Sequence, residues 1–396
     1  MERATVRRRR LALGTLALLV VGGFAVGAFV GGGSGGSGTG SSRGGRSRGS
    51  DPGSSVAAEE RRPTLAERLT PGQLAGERIV VGIDGTGLTK ELRHAIHAGQ
   101  VAGVVLFEAD FPSRSAGREL IDAVQSIPRP KLLRGLPLLV MTDQEGGEVK
   151  RVDGPPAASA ATMGAKGPDY SRRQGRATAV NLKSLGVNVD LAPVLDVGRP
   201  GGVIADTERS FGGTPAAVAR TAVPFARGLE ESGVAATAKH FPGLGTASEN
   251  TDFEAQRLPI SKAELRDTDE APYSAFVGAG GKLVMLSTAI YPAFSKRPAA
   301  FTRRIATGEL RGRLGFRGVT ITDSLGSAAV AEFGGQREAA VDGAAAGDDL
   351  LLFDDLPNAL AGHEGLVKQL HKGALARAPF LAAAGRVLSL RRDLSR

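Results

Sequence analysis

The chain of 396 residues has no cysteine, only five histidines and 5% aromatic residues. Without cysteine there can be no disulfide, thiolate zinc site, iron–sulfur cluster or cysteine nucleophile. The same absence removes the commonest attachment point for a bacterial lipid, so a membrane tether has to be peptidic. Few aromatics argue against nucleic acid as a partner, because unpaired bases are held largely by aromatic stacking. Nucleotide signatures are missing too, since no G-x-G-x-x-G follows a predicted strand and no G-x-x-x-x-G-K-[ST] occurs.

A net charge of +9 would ordinarily point to nucleic acid or anionic lipid. Its distribution changes that reading. Residues 1–50 carry eight arginines against Glu2, which is 8 − 1 = +7, leaving +2 for the other 346 residues. Arg7 to Arg10 precede an uncharged stretch over 11–30, LALGTLALLVVGGFAVGAFV. Twenty residues at about 1.5 Å each match the roughly 30 Å hydrocarbon core, so this stretch is expected to be a transmembrane signal anchor. The basic tail 1–10 would stay in the cytoplasm and the rest would be exported. Secretion after signal cleavage is the alternative, with Val26-Gly27-Ala28 as a poor match to a cleavage site. Residues 31–62 are rich in Gly and Ser and are expected to form a disordered linker.

The remainder, 63–396, alternates short apolar runs with amphipathic stretches. The runs are 78–84, 101–107, 136–143, 187–197, 234–240, 282–290, 318–323 and 349–354. They lack polar alternation and read as strands buried on both faces, with helices over 88–98, 169–185, 216–232, 302–314 and 336–346 as crossovers. Eight such units predict an α/β fold, a TIM-like (β/α)8 barrel, in preference to an open doubly wound sheet. Two further helices, 357–375 and 378–394, close the chain.

Chemistry in such a barrel sits at the carboxyl ends of the strands. There the runs end in Thr142-Asp143-Gln144-Glu145 with Lys150 and Arg151, in Asp206, Arg209 and Ser210, in Lys239-His240, and in Thr322-Asp323-Ser324. Each has an ordinary role: Asp143 and Asp323 can cap helices, Lys239 can be a solvated charge and His240 a packed histidine. Together at one rim they suit a polyhydroxylated ligand, since carboxylates accept from vicinal hydroxyls while Lys and Arg donate.

These residues resemble the family 3 glycoside hydrolases, within them the single-domain β-N-acetylhexosaminidases. The motifs occur in the family's order: TDQEGGEVKR at 142–151, ERSFG at 208–212, KHFPG at 239–243 and ITDSL at 321–325. The resemblance implies a TIM-like barrel and retaining hydrolysis of terminal β-N-acetylglucosaminides, such as cell-wall fragments, without a cofactor. It further implies Asp323 as the nucleophile, and Asp143, Arg151, Arg209, Lys239 and His240 as the residues that hold the sugar.

One segment departs from the family. Its loop after the fifth strand reads KHFPGHG, four residues, then DSH, and the Asp–His pair supplies the acid/base. This chain reads KHFPGLGTASENTDFE over 239–254, so Leu244, Asn250 and Asp252 replace the loop histidine, the Asp and the catalytic His. Three outcomes are open. Asp252 acts as the acid, kept protonated by burial or by Glu249 or Glu254. Alternatively the enzyme cleaves only activated substrates, or the protein binds sugar without turnover. Gly243 and Gly245 suggest a mobile lid. No metal is expected: His94 and His97 share a helix face but lack a third ligand.

Overall fold

The computed structural model describes residues 62–395. The expected tail and the apolar span 11–30 lie outside them, as does all but the end of the linker. Among the described residues no helix is long and apolar enough to cross a membrane.

Each apolar run contains a strand, in chain order β1 (Ile79–Gly82), β2 (Gly103–Val105) and β3 (Leu139–Thr142). A short antiparallel hairpin, β4 (Gln144–Gly146) and β5 (Val149–Lys150), follows at the rim. Then come β6 (Val189–Asp190), β7 (Ala235–Phe241), β8 (Leu283–Leu286), β9 (Val319–Thr322) and β10 (Leu351–Phe353). The eight-stranded parallel sheet runs β10-β1-β2-β3-β6-β7-β8-β9. A bridge between Ile321 and Leu350, with Thr322 N–H donating to Leu350 O at 3.0 Å, brings β9 against β10 and nearly closes the barrel.

Val80, Leu139, Met141, Met285 and Ile321 fill the interior, while Ile79, Val81, Val104 and Val140 face the helices. Burial on both faces is why the runs are continuously apolar. The 187–197 run yields only a two-residue strand because Pro193 has no N–H to donate. Hydrogen bonds to β7 nevertheless continue along the run, from Thr237 N–H to Ala192 O at 2.9 Å, Lys239 N–H to Pro193 O at 3.1 Å and Leu195 N–H to Lys239 O at 2.7 Å.

The helices begin where the sequence supplies caps. Thr89, Ser113 and Thr214 accept from Leu92, Ala116 and Ala217 N–H, and Pro215 occupies a first-turn position. The 302–314 stretch forms Arg304–Arg313 with π-type rather than α-type hydrogen bonding. The closing helices are Leu356–His371 and Arg377–Asp393. The latter inserts Val387 and Leu390 into the interior cluster, closing the amino-terminal end of the barrel.

Candidate active site

The hairpin after β3 brings the TDQEGG segment over the barrel mouth. Gln144 staples it: Nε2 donates to Val152 O and Pro155 O at 2.8 and 2.9 Å, and Oε1 accepts from Arg151 and Val152 N–H. Asp143 and Glu145 stand two apart in extended chain and so share a side. Both meet Lys239 Nζ, at 2.5 and 2.7 Å. Glu145 also takes a two-pronged pair from Arg209, both bonds 2.8 Å. Burial alone would raise the Glu145 carboxyl, but Arg209 and Lys239 hold it well below the usual carboxylate range. Burial opposes the charge on Lys239, yet Asp143 and Glu145 raise its pKa. Glu145, Lys239 and Arg209 are therefore ionised at neutral pH.

His240 follows Lys239 through a cis peptide and is fixed by Asp196, which accepts from its backbone N–H at 3.1 Å and lies 2.7 Å from Nδ1. The same carboxylate accepts from Leu244 N–H at 2.7 Å, tying the loop after β7 to the end of the fourth apolar run. The sequence named Glu145 only as part of the rim segment, without a role, and did not single out Asp196. The i, i+2 spacing with Asp143 was the available signal for Glu145, and a lone Asp closing an apolar run was the signal for Asp196.

Asp323 follows β9 directly, half-buried, with its N–H donating to Leu286 O at 2.9 Å. Its carboxylate accepts from Ser324 N–H at 2.9 Å. Neither it nor Asp143 caps a helix: the next helix after Asp323, Ala328–Ala331, has Ser327 at its N-cap, and Asp143 leads into β4. Burial raises the Asp323 carboxyl to about 6, against the lowering effect of His240.

Asp143, Arg151, Arg209, Lys239, His240, Asp252 and Asp323 line one cavity of about 900 Å³, so the candidate nucleophile, acid and sugar-holding residues converge there, while Lys150, Asp206 and Ser210 of the same rim segments do not line it. Asp252 differs from the expectation in its surroundings. The side chain is exposed, not buried, and accepts from Asn250 Nδ2 at 3.0 Å. Neither Glu249 nor Glu254 lines the cavity. Its backbone is anchored across the rim, since Thr251 O and Asp252 O accept from Ala329 and Ala328 N–H at 3.3 and 3.2 Å.

The lid expectation for Gly243 and Gly245 is corrected. A Cβ on Gly243 would meet Asp269 Cβ at 2.6 Å at a φ of +141°, and one on Gly245 would meet Val197 O at 1.9 Å. Tyr291 Oη donates to Gly243 O at 2.8 Å. These glycines permit close packing of a buried segment, not hinge motion. Away from the cavity, His363 packs with Nε2 2.8 Å from Gly72 O, and His97 Nδ1 lies 2.8 Å from Pro128 O. No metal-holding group of His, Asp and Glu occurs among the described residues.

An ionic sugar-sized cavity at the carboxyl ends of a parallel barrel, with one half-buried carboxylate beside it, is suited to bond cleavage at an acetal carbon. The pattern of the Glycosyl hydrolase family 3 N terminal domain matches residues 72–390. The chain belongs to glycoside hydrolase family 3. A "Beta-hexosaminidase" of Stenotrophomonas maltophilia is 36% identical over 65% of this chain and 77% of its own length. An "Uncharacterized secreted glycosyl hydrolase" of Arthroderma benhamiae is 36% identical over 81% of this chain and 93% of its own. Among solved structures, the family 3 β-N-acetylglucosaminidase of Paenibacillus sp. superposes with a TM-score of 0.77 at 31% identity, over 82% of this chain and 63% of that one. The β-N-acetylhexosaminidase of Beutenbergia cavernae gives 0.75 at 31%, over 82% and 99%. This family 3 protein is a glycosidase.

Proposed function

We propose that the protein is a retaining β-N-acetylhexosaminidase that releases terminal β-N-acetylglucosamine, with Asp323 as nucleophile. The observation that carries this reading is the placement of Asp323 beside the Lys239–Glu145–Arg209 cluster in a single cavity. Lys239, Arg151 and Arg209 donate to sugar hydroxyls, Asp143 accepts from them, and His240 presses on the ring from the position Asp196 sets. The hexosaminidase relatives support N-acetylglucosamine as the sugar.

Asp323 attacks the anomeric carbon as the bond to the leaving oxygen breaks, giving a covalent glycosyl ester. Asp252 gives its proton to that oxygen, then takes one from the water that displaces Asp323. The anchoring of residues 251 and 252 on the loop after β9 holds the acid on the nucleophile's side of the mouth. An exposed carboxylate needs the bound sugar itself to exclude water and raise its proton affinity.

Steady-state rates on an aryl N-acetylglucosaminide and on chitobiose test the reading. Turnover by wild type is expected on both, and loss of both in Asp323→Asn. Wild-type rates no faster than those of Asp323→Asn would leave a sugar-binding protein instead. We further propose that the basic and apolar start of the chain exports the barrel. The relative described as secreted supports export, and cell fractionation distinguishes an anchored product from a released one.

A further inference from the structure

The rim of the cavity is divided by charge. Every lysine and arginine lining it, Lys239, Arg209 and Arg151, comes from the arc between β3 and β7, where they are interleaved with Asp143 and Glu145. The adjoining arc follows β10, β1 and β2, consecutive neighbours in the sheet, and contributes Asp354, Asp84 and Glu108 with the side chain of Phe107 and no basic residue. Asp323 stands at the junction, since β9 borders β10.

A β-linked pyranose carries its C1 and C4 substituents at opposite ends of the ring. With C1 over Asp323 and the remote hydroxyls on the Lys239 arc, the leaving group has to emerge over Asp354, Asp84 and Glu108. We propose that these three carboxylates select the leaving group by charge, favouring a sugar that bears a free amine over one that bears a carboxylate. This rests on the hydrolase reading above. The cavity is fixed by Asp323 and the Lys239 cluster, and the acids decide only what charge the far side accepts.

The arc is rigid. Asp110, 4% exposed, bridges its two loops by accepting from Gly85 N–H at 2.7 Å and Phe107 N–H at 2.9 Å, which sets Asp84 and Glu108 in place. Asp354 is held by Ser324 Oγ, which donates to its carboxylate at 2.6 Å. Burial raises the Asp354 carboxyl and Ser324 lowers it, while Asp252, Asp355 and Asp84 raise it further, so the carboxylates feel one another. A cationic group between them would relieve that repulsion, and an anionic one would add to it.

The test compares kcat/KM of the full chain for three β-1,4 disaccharides with N-acetylglucosamine at the non-reducing end. The second unit is glucosamine, N-acetylglucosamine or N-acetylmuramic acid, and the assay runs at about pH 6.5, where the amine is protonated. The amine-bearing substrate is expected to exceed the carboxylate-bearing one by about tenfold or more, and the gap to shrink in high salt. In Asp84→Asn/Glu108→Gln the gap should narrow to about threefold or less while the rate on an aryl N-acetylglucosaminide is kept. Equal rates, a preference for the carboxylate, or a gap the double variant leaves intact would overturn the assignment. Calorimetric binding of the same disaccharides to Asp323→Asn reads the same order without turnover. Absence of hydrolysis would therefore count against the hydrolase reading alone, and absence of the charge order against this one.

Discussion

The two ends of the barrel use the same buried ion pairs for opposite purposes. At the amino-terminal end Arg391 pairs with Glu77 and also donates to Pro137 O at 2.8 Å. Asp349 takes Arg311 and Arg386, each at 2.6 Å, and Arg78 donates to the Asp348 and Asp349 carbonyls with its guanidinium 4.4 Å from the centre of the Phe380 ring. The closing helix covers this cluster and keeps it from any ligand, even though Glu77 Oε2, Arg311 Nε and both Asp348 carboxylate oxygens are buried there without a hydrogen-bond partner. At the carboxyl-terminal end Lys239 and Glu145 are just as buried, but Asp143, Arg151 and Asp323 around them open onto a cavity. A cluster sealed beneath a helix can only hold the fold together. An open one keeps bonding capacity for a ligand.

The comparison can be broken by variants that affect the wrong property. The largest effect expected is at Asp323, where Asn should lower kcat/KM by about 10⁴ to 10⁶-fold, as loss of a nucleophile does. The same change should stabilise the fold. Burial raises the Asp323 carboxyl to about 6, above its unfolded value, so the ionised group is a cost that disappears only at low pH. Thermal unfolding should show Asp323→Asn more stable at pH 7 by about 1–3 kcal/mol, with no gain at pH 4. A loss of stability at pH 7 would contradict the idea that this end is held open against its own burial.

Arg391→Met is the converse. Removing one partner from a buried pair strands Glu77, and about 3–5 kcal/mol of stability should be lost in denaturant unfolding. KM for the aryl glycoside should not change. A change in KM would mean that the two ends communicate. Asp252→Asn should cost about 10² to 10⁴-fold on chitobiose and far less on the aryl glycoside, whose leaving group departs without a proton. Equal losses would remove Asp252 as the acid. Smallest is the pH limb: kcat/KM should fall about tenfold per unit below about pH 6 as Asp323 takes up its proton. Arg391→Met should keep the limb, because Asp323 and its surroundings are untouched.

The strands were legible because burial on both faces favours continuous apolar runs, most of them rich in Val, Ile and Leu. The site was legible as a set of polar residues closing those runs. The hairpin over the mouth was not, because QEG and VK carry no strand pattern; Gln144 fixes it through bonds to residues eight and eleven positions on. The packed glycines of the KHFPGLG segment were misread as hinges, since a glycine for close approach and one for motion look alike in a sequence.

Sequence alone determined the barrel, the rim that carries chemistry, and the absence of a histidine from the acid/base loop. Those follow from local pattern and residue identity. Tertiary structure decided the partnerships: which carboxylate neutralises Lys239, what orients His240, and that Asp252 is exposed while Asp84, Glu108 and Asp354 share an uncompensated arc. Lys239 and Asp143 are 96 positions apart, and their meeting depends on strand order around a barrel. Electrostatic energy falls with distance in space, which the chain sets only once it has closed on itself.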